Sequence, residues 1–397
     1  MGHFKACRNL TQYNIGKMKL IIGITAPQST VLIKGQLEFY VTKGFDVYLL
    51  APKSPLTEAI CREEGVKLIS VEMKRDISLF HDLIALIKIL IYINRIKPDV
   101  VNFGTPKVSL LGLIAAKVLK VPRRIYTCRG FRFEHESGFK RRLLVLMEKL
   151  TVFASHRVIC ISKSVQDLGI ENDIFDAKKS LVLKNGSSNG VNLKMFNTEA
   201  VNKENLEHLK TDFNLGNSFV FGFVGRLIDR KGVNELYEAF DKIYQHSSSS
   251  RLLLVGPVEE DQIKNKNLLD QIKSHPGIIS VGAVPQDQVP LYFCVMNVLV
   301  LPAYWEGFGN VLIQGASMGV PVISTNSTGC KDAVSDKLNG ELVEVGNVEQ
   351  LYLTMKKFLA DETLLKRYGQ NGILWSKNFS SESIWNGLIN IYNKEAY

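Results

Sequence analysis

Short apolar runs recur along the first half of the chain, each followed by a longer stretch with helical spacing. LIIGIT (Leu20–Thr25), DVYLLA (Asp46–Ala51), VKLISV (Val66–Val71) and DVVNFG (Asp99–Gly104) read as buried strands. Between them, Leu32–Lys43, Thr57–Glu64 and Ile77–Ile96 have the length and period of helices. The rhythm continues through RRIYTC (Arg123–Cys128) and RVICIS (Arg157–Ser162). Strands that are apolar on both faces belong in a parallel sheet, because the crossover helices cover each face.

The pattern breaks at KNGSSNGVN (Lys184–Asn192) and in the polar, charged segment that runs to about Asn217. Gly, Ser and Asn at that density predict a linker. A second series then begins: Phe219–Gly225, Arg251–Gly256, Ile278–Gly282, Asn297–Pro302 and Pro321–Thr325, with a last helix near Ser381–Lys394. The prediction is an α/β chain of two tandem Rossmann-like, doubly wound domains with a cleft between them. The first covers 18–190, a linker 191–217 and the second domain 218–380. Residues 1–17 read as an N-terminal extension, and 381–397 as a helix returning toward the first domain. A chain of 397 residues exceeds one ordinary core, and ligands of such sheets sit beyond the C-terminal strand ends.

Two helices raise the question of a membrane. Asp82–Lys97 is strongly apolar, but Lys88 interrupts it, and the uncharged part is far below the ~20 residues of a span. It is expected to be a buried helix, with a helix resting on lipid as the alternative. In Gly138–Ala154, Lys140, Arg141 and Arg142 precede an amphipathic run, the layout of a helix lying in an anionic interface. A solvated helix end is the alternative there.

Charge sharpens this picture. Residues 1–190 hold 30 Lys+Arg and 16 Asp+Glu, a net of +14, whereas the remainder holds 19 and 23, a net of −4. The front half is therefore expected to meet something anionic. No nucleic-acid reading module accompanies the charge, which favours an anionic membrane surface over nucleic acid. Six scattered cysteines without a C-x-x-C pair argue for reduced thiols and against a zinc site. The first residues lack the apolar core of a signal peptide, so a cytoplasmic setting is expected.

The stretch YWEGFGNVLIQGASMG (Tyr304–Gly319) contains two incompatible chemical patterns. GASMG matches the G-x-S-x-G of a serine nucleophile, but Ser317 follows helical sequence instead of a strand, and no histidine occurs after His275. The other pattern is a strand, a glycine corner and a helix start. There Gly307, Phe308 and Gly309 would aim backbone N–H groups at an anion, with Glu306 at the lip to accept from sugar hydroxyls. Gln314 lies one helical turn beyond Asn310. A second corner, FGFVGRLIDRKGVNEL, places Gly225-Arg226 and Lys231-Gly232 before a helix, two cations suited to a departing diphosphate. Neither a dinucleotide nor a P-loop fingerprint is present, and no D-x-D offers the usual metal–diphosphate device. No metal and no cofactor are therefore expected.

With these residues the chain resembles the retaining glycosyltransferases of family 4, which have the GT-B fold. The resemblance runs from Met18 onward and is strongest in FVGRLIDRKGVNEL and VLPAYWEGFGNVLIQGASMGVPVISTNSTGC. The front half resembles the bacterial branch that builds capsules, O-antigens and lipid-linked glycans. It implies that Arg226 and Lys231 hold the donor diphosphate, that Glu306 contacts the donor sugar, and that Phe308–Asn310 line sugar and phosphate. It further implies that the loop Ala26–Thr30, with Gln28 and Ser29, closes over the diphosphate, and that the base lies against Gly282–Pro285, including Val284. Two positions depart from the family. Its ribose-binding Glu is Gln314 here, and a frequent His-Gly is Arg129-Gly130, which would put an arginine near the donor sugar or its phosphate. The implied partners are a nucleotide diphosphate sugar as co-substrate and a lipid-linked saccharide acceptor. An epimerase of the same fold and a catalytically silent sugar-nucleotide-binding subunit are the rival readings.

Overall fold

The computed structural model describes residues 17–393 apart from Arg75 and Ile77, so nearly all of the expected N-terminal extension lies outside the described residues. Among these residues the first sheet has seven strands: β1 (Lys19–Gly23), β2 (Asp46–Ala51), β3 (Lys67–Ser70), β4 (Val100–Phe103), β5 (Arg123–Cys128), β6 (Arg157–Cys160) and β7 (Ser180–Val182). The second has six: β8 (Val220–Val224), β9 (Arg251–Val255), β10 (Ile278–Gly282), β11 (Val298–Leu301), β12 (Val322–Thr325) and β13 (Gly340–Val343). The orders are β3-β2-β1-β4-β5-β6-β7 and β10-β9-β8-β11-β12-β13. All pairings are parallel. Strand order reverses at β1/β4 and at β8/β11, the positions where a doubly wound sheet opens a crevice. β4, β11 and β12 are buried along their whole length; β11 is apolar throughout, whereas β4 and β12 also bury Asn102, Ser324 and Thr325.

Residues 191–217 are not a bare connector. They include the helix Lys203–Asp212, started by the Asn202 side chain accepting from the Asn205 amide. Phe196, Leu209 and Leu215 are buried in the core of the second domain. The segment's polar composition describes its outer face, while these three apolar anchors tie it down.

The closing helix, Ser381–Asn393, lies on the first domain. Ile384, Leu388, Ile391 and Tyr392 are buried with Leu37, Tyr40 and Phe45. Tyr392 packs edge-on to Tyr40 at 5.6 Å and accepts a hydrogen bond from Asn102 Nδ2 at 2.6 Å. Trp385 Nε1 donates to Asn189 Oδ1 at 2.7 Å. The chain thus crosses back, and the first domain is completed by its last residues.

Polar contacts set the two sheets against each other. Gly329 N donates to Ser164 Oγ at 2.8 Å, Ser164 N to Asp332 Oδ1 at 3.1 Å, and Thr328 Oγ1 to Glu134 Oε1 at 2.6 Å. The rings of His135 and Trp305 stack across the junction with centroids 5.0 Å apart.

The helix Leu79–Ile96 corrects the expectation of burial. Ala85, Ile89 and Ile93 are buried in the core, and Leu86, Leu90, Tyr92 and Ile96 pack against it part-exposed. Leu79, Phe80, Leu83, Ile84, Ile87 and Ile91 are exposed, Leu79 by 84% and Phe80 by 71%. At 100° per residue these six share one side, so the helix has a second apolar stripe directed away from the sheet. The helix Gly138–Ala154 behaves similarly, with Phe139, Leu146, Leu150 and Phe153 exposed. Among the described residues no helix is long and apolar enough to cross a membrane.

Candidate active site

Two corners of the second domain meet at a cleft of about 650 Å³ between the sheets, within the roughly 300–1,000 Å³ of small-molecule sites. The first corner follows β8 and turns through Asp229–Lys231 into the helix Val233–His246. Gly232 carries φ +72° at that helix start, and a Cβ there would lie 2.1 Å from the Pro302 carbonyl oxygen. Only glycine lets the turn approach the end of β11 so closely, and the approach sets Lys231 over the second corner. Tyr304 N donates to Arg230 O at 2.9 Å, which binds the two corners backbone to backbone.

Lys231 Nζ lies 2.6 Å from Glu306 Oε1, with the two side chains only 13% and 14% exposed. Arg230 adds a second cation, Nη1 at 3.4 Å from the same oxygen, while donating to Trp305 O at 3.1 Å. Its guanidinium lies over the Trp305 ring at 4.2 Å, opposite in role to the His135 stack. Motif reading singled out Lys231 and Glu306 but missed Arg230 and Trp305. The adjacent cation in "DRKG" and the aromatic in "YWEG" were the available signals.

Asn310 opens the helix Asn310–Ser317, and its Oδ1 accepts from Ser187 Oγ at 2.7 Å, a contact across the domains. Gln314 lines the same cleft one turn further on, together with Gly225, Val284, Phe308 and Gly309. Gln286 and Val289, which the sequence reading did not name, line it beside Val284. Gly282 ends β10 with φ +79°, and Pro285 O accepts from Gln288 N at 3.0 Å, so both flank Val284 as parts of a turn.

Several expectations need correction. Arg226 Nη1 pairs with Glu259 at 2.9 and 3.1 Å on an exposed surface. Both oxygens share one nitrogen, and an exposed pair of this kind contributes little, on the order of 1 kcal/mol or less, so it yields readily to a stronger anion. The glycine corner does not offer all its amides to a ligand. Gly309 N donates to Gly329 O at 3.3 Å and Asn310 N to Phe308 O at 2.8 Å. Gly307 serves close approach instead, because a Cβ there would lie 2.3 Å from Arg129 O.

Arg129 meets that corner with its backbone and turns its side chain into the first domain. Nη1 donates to Ser188 O at 3.4 Å and Nη2 to Leu32 O at 3.5 Å, while Nε has no partner among the described residues. Burial brings its pKa down to about 10. Gln28 and Ser29 lie in the turn Pro27–Leu32, whose far end, Val31 and Leu32, reaches the cleft. Ser29 itself lines a different cavity.

The three basic residues of the helix Gly138–Ala154 are not equivalent. Lys140 pairs with Glu136 at 2.6 Å, and Arg141 donates to Asn172 Oδ1 at 2.6 Å while lying over the Phe133 ring. Arg142 is exposed. Ser317 is part-exposed and donates to the Gln314 carbonyl at 2.8 Å, a contact within its own helix end that leaves the G-x-S-x-G pattern without a strand before the serine.

Comparison with known proteins fits this geometry. Residues 34–186 match the family described as Glycosyl transferase 4-like domain, and residues 207–375 match Glycosyl transferases group 1. A capsular polysaccharide biosynthesis glycosyltransferase of Staphylococcus aureus, CapM, is 36% identical over 371 residues, covering 93% of this chain and 95% of its own. The UDP-Gal:alpha-D-GlcNAc-diphosphoundecaprenol alpha-1,3-galactosyltransferase of Escherichia coli is 27% identical over 366 residues, 90% of this chain and 88% of its own. Among solved structures, Anabaena HepE in complex with UDP and glucose overlays with a TM-score of 0.78 at 17% identity, covering 94% of this chain and 98% of that one.

Proposed function

Because the chain belongs to the glycosyltransferases of polysaccharide biosynthesis, with the two-domain GT-B fold of family 4, we propose that it moves a hexose or N-acetylhexosamine from a UDP-sugar to a lipid-linked saccharide. The observation that carries this reading is the Lys231–Glu306 pair, largely buried at the cleft between two facing strand-end crevices. A carboxylate accepts from neighbouring sugar hydroxyls, and an ammonium beside it neutralises a diphosphate. The lipid-linked acceptor is supported by the E. coli relative, whose named acceptor is a diphosphoundecaprenol-linked sugar. The UDP donor is supported by the same relative's name and by the UDP complex of HepE.

In the reaction the acceptor hydroxyl oxygen bonds to the anomeric carbon as the bond to the diphosphate oxygen breaks. The electron pair leaves with the diphosphate, and the acceptor proton passes to a phosphate oxygen, because Glu306, the carboxylate at the corner, is held by Lys231 and Arg230. Retention follows if attack comes from the face that the leaving group departs. Lys231, with Arg226 released from Glu259, holds the growing negative charge, and no metal is needed. Gln314 bonds a ribose hydroxyl. Calorimetric titration with UDP, GDP and ADP and their sugars, repeated in EDTA, tests the donor assignment. Tight binding of UDP that survives EDTA is expected, and binding only with added divalent metal refutes the metal-free mechanism.

The protein works on this reading at the inner face of the cytoplasmic membrane. The exposed stripe of Leu79–Ile96 is the surface that touches lipid, with Lys88 and Arg95 on the same helix beside the stripe. Sedimentation with phosphatidylglycerol vesicles is expected to carry the protein down at low salt and to weaken as salt rises. The double substitution Leu83→Ser, Ile87→Ser should lower that binding by roughly tenfold or more, since each side chain loses apolar area that lipid would cover. Equal sedimentation of wild type and double variant would remove this surface from the account.

A further inference from the structure

The first sheet opens its crevice where strand order reverses, between β1 and β4. A small cavity of about 20 Å³ lies there. Gly23 of β1, Asn102 of β4 and Thr127 of β5 line it, with Gly104, Arg129 and Ser188. That volume suits one particle the size of a water molecule or a halide ion and excludes a phosphate. Ser188 also lines the donor cleft, so the two spaces share a wall.

Two buried atoms of the lining residues, Arg129 Nε and Ser188 Oγ, have no hydrogen-bond partner among the described residues. Both carry a proton to donate. A Cβ on Gly104 would lie 2.8 Å from Nε, so glycine there keeps that edge of the guanidinium clear. The other two nitrogens are weakly held, Nη1 at 3.4 Å from Ser188 O and Nη2 at 3.5 Å from Leu32 O.

Those acceptors are neutral carbonyls, and a buried cation is stable when a counter-charge accompanies it. With its pKa brought down only to about 10, Arg129 stays charged at pH 7. Tyr40 and Tyr392 are the titratable groups that act on it. Burial pushes the Tyr392 hydroxyl up to about 12 and that of Tyr40 well above its usual value, so both stay neutral and supply no negative charge. A water molecule would accept from both donors but would leave the charge unbalanced and its own protons to place. Nearby acceptors are already engaged: Asn102 Oδ1 takes Thr127 Oγ1 and Thr105 Oγ1 takes Thr25 N, each at 2.7 Å. An anion accepts from both donors and balances the charge.

We infer that this cavity binds one monovalent anion of halide size, chloride being the abundant one, held by Arg129 Nε–H and Ser188 Oγ–H. The ion completes the first domain behind the donor cleft, because Arg129 also holds the carbonyls of Ser188 and Leu32, which line that cleft. The assignment rests on neither the donor nor the acceptor.

Melting midpoints of the full-length protein in sodium chloride and in sodium gluconate, at equal low concentration, test it, since gluconate is too large to enter. Replacing gluconate by chloride should raise the midpoint by about 2 °C or more, the scale of filling a native-state site. Bromide should act likewise, and crystals soaked in bromide should show its anomalous signal between Arg129 and Ser188. Arg129→Met removes the charge and should abolish the gain. Gly104→Ala keeps the charge but sets a methyl against Nε, and should cut the gain at least twofold. Arg226→Ala removes an exposed cation of the donor corner and should keep the gain in full. Where Arg129→Met fails to fold, the bromide signal and Gly104→Ala decide. Equal midpoints in the two salts, a gain that survives Arg129→Met, or an ordered water without bromide signal in the cavity overturns the assignment. Loss of the gain in Arg226→Ala would place the anion at the donor corner and overturn it equally.

Discussion

Replacing Lys231 by Ala should slow sugar transfer by roughly 10²-fold or more, with a parallel loss of UDP affinity. The side chain is 13% exposed and lies 2.6 Å from Glu306, so it is a fixed charge that needs no rearrangement when the diphosphate departs. Its removal acts twice. The leaving group loses its nearest cation, and Glu306 keeps only Arg230, at 3.4 Å, as a counter-charge. Lys231→Arg should recover little, because a planar fork is longer and does not replace an ammonium held in this narrow gap. Arg226→Ala should cost less. That guanidinium rests on Glu259 and must first exchange partners before it reaches a phosphate. The order of severity, Lys231 before Arg226, is measured by kcat and KM for the donor with each variant. A larger loss at Arg226 would show that Arg226, and not Lys231, carries most of the diphosphate charge.

Most strands were legible because a parallel strand buried on both faces is a largely apolar run, as in VLVL of β11. The two that escaped, Ser180–Val182 and Gly340–Val343, end their sheets, and each is short and only partly buried. Nothing in SLV or GELV separates them from turn sequence. Leu79–Ile96 failed for a different reason. A helix with apolar residues over most of its surface reads the same whether it is enclosed by protein or faces outward, and the packing of Ala85, Ile89 and Ile93, with Leu86, Leu90, Tyr92 and Ile96 beside them, settles which side is inside.

At the site, glycines and charges gave the corners, since Lys231-Gly232 and Glu306-Gly307 need backbone approach and fixed charge together. What spacing could not reveal was the choice of partner. Arg226 and Arg230 are both cations on one corner, four residues apart, and either could have faced Glu306. Asp229 at the start of the turn, the Trp305 ring and the Glu259 carboxylate decide the matter through contacts distant in sequence. Trp305, packed between Arg230 and His135, also connects the acid corner to the first domain.

Glu306→Gln should abolish most transfer and leave binding of free UDP nearly intact. The carboxylate accepts from sugar hydroxyls that UDP lacks, so its loss is felt only when the sugar is present. An amide presents one acceptor oxygen and one donor nitrogen, and it no longer matches Lys231 and Arg230, which approach the same oxygen. One effect opposes this. Neutralising residue 306 frees Lys231 from its ion pair, so UDP affinity should hold or rise slightly. Gln314→Ala makes the contrast. It should weaken UDP and UDP-sugar alike by about 0.5–1.5 kcal/mol, the worth of one neutral hydrogen bond, and spare the chemical step. Ser317→Ala should change neither, because that hydroxyl bonds the Gln314 carbonyl of its own helix. Calorimetry with UDP and transfer rates for the three variants decide between these outcomes. Should Glu306→Gln transfer sugar at the wild-type rate, the carboxylate would be a structural partner of Lys231 alone. The donor sugar would then have to be held by Asn310 and Gln314 across the same cleft.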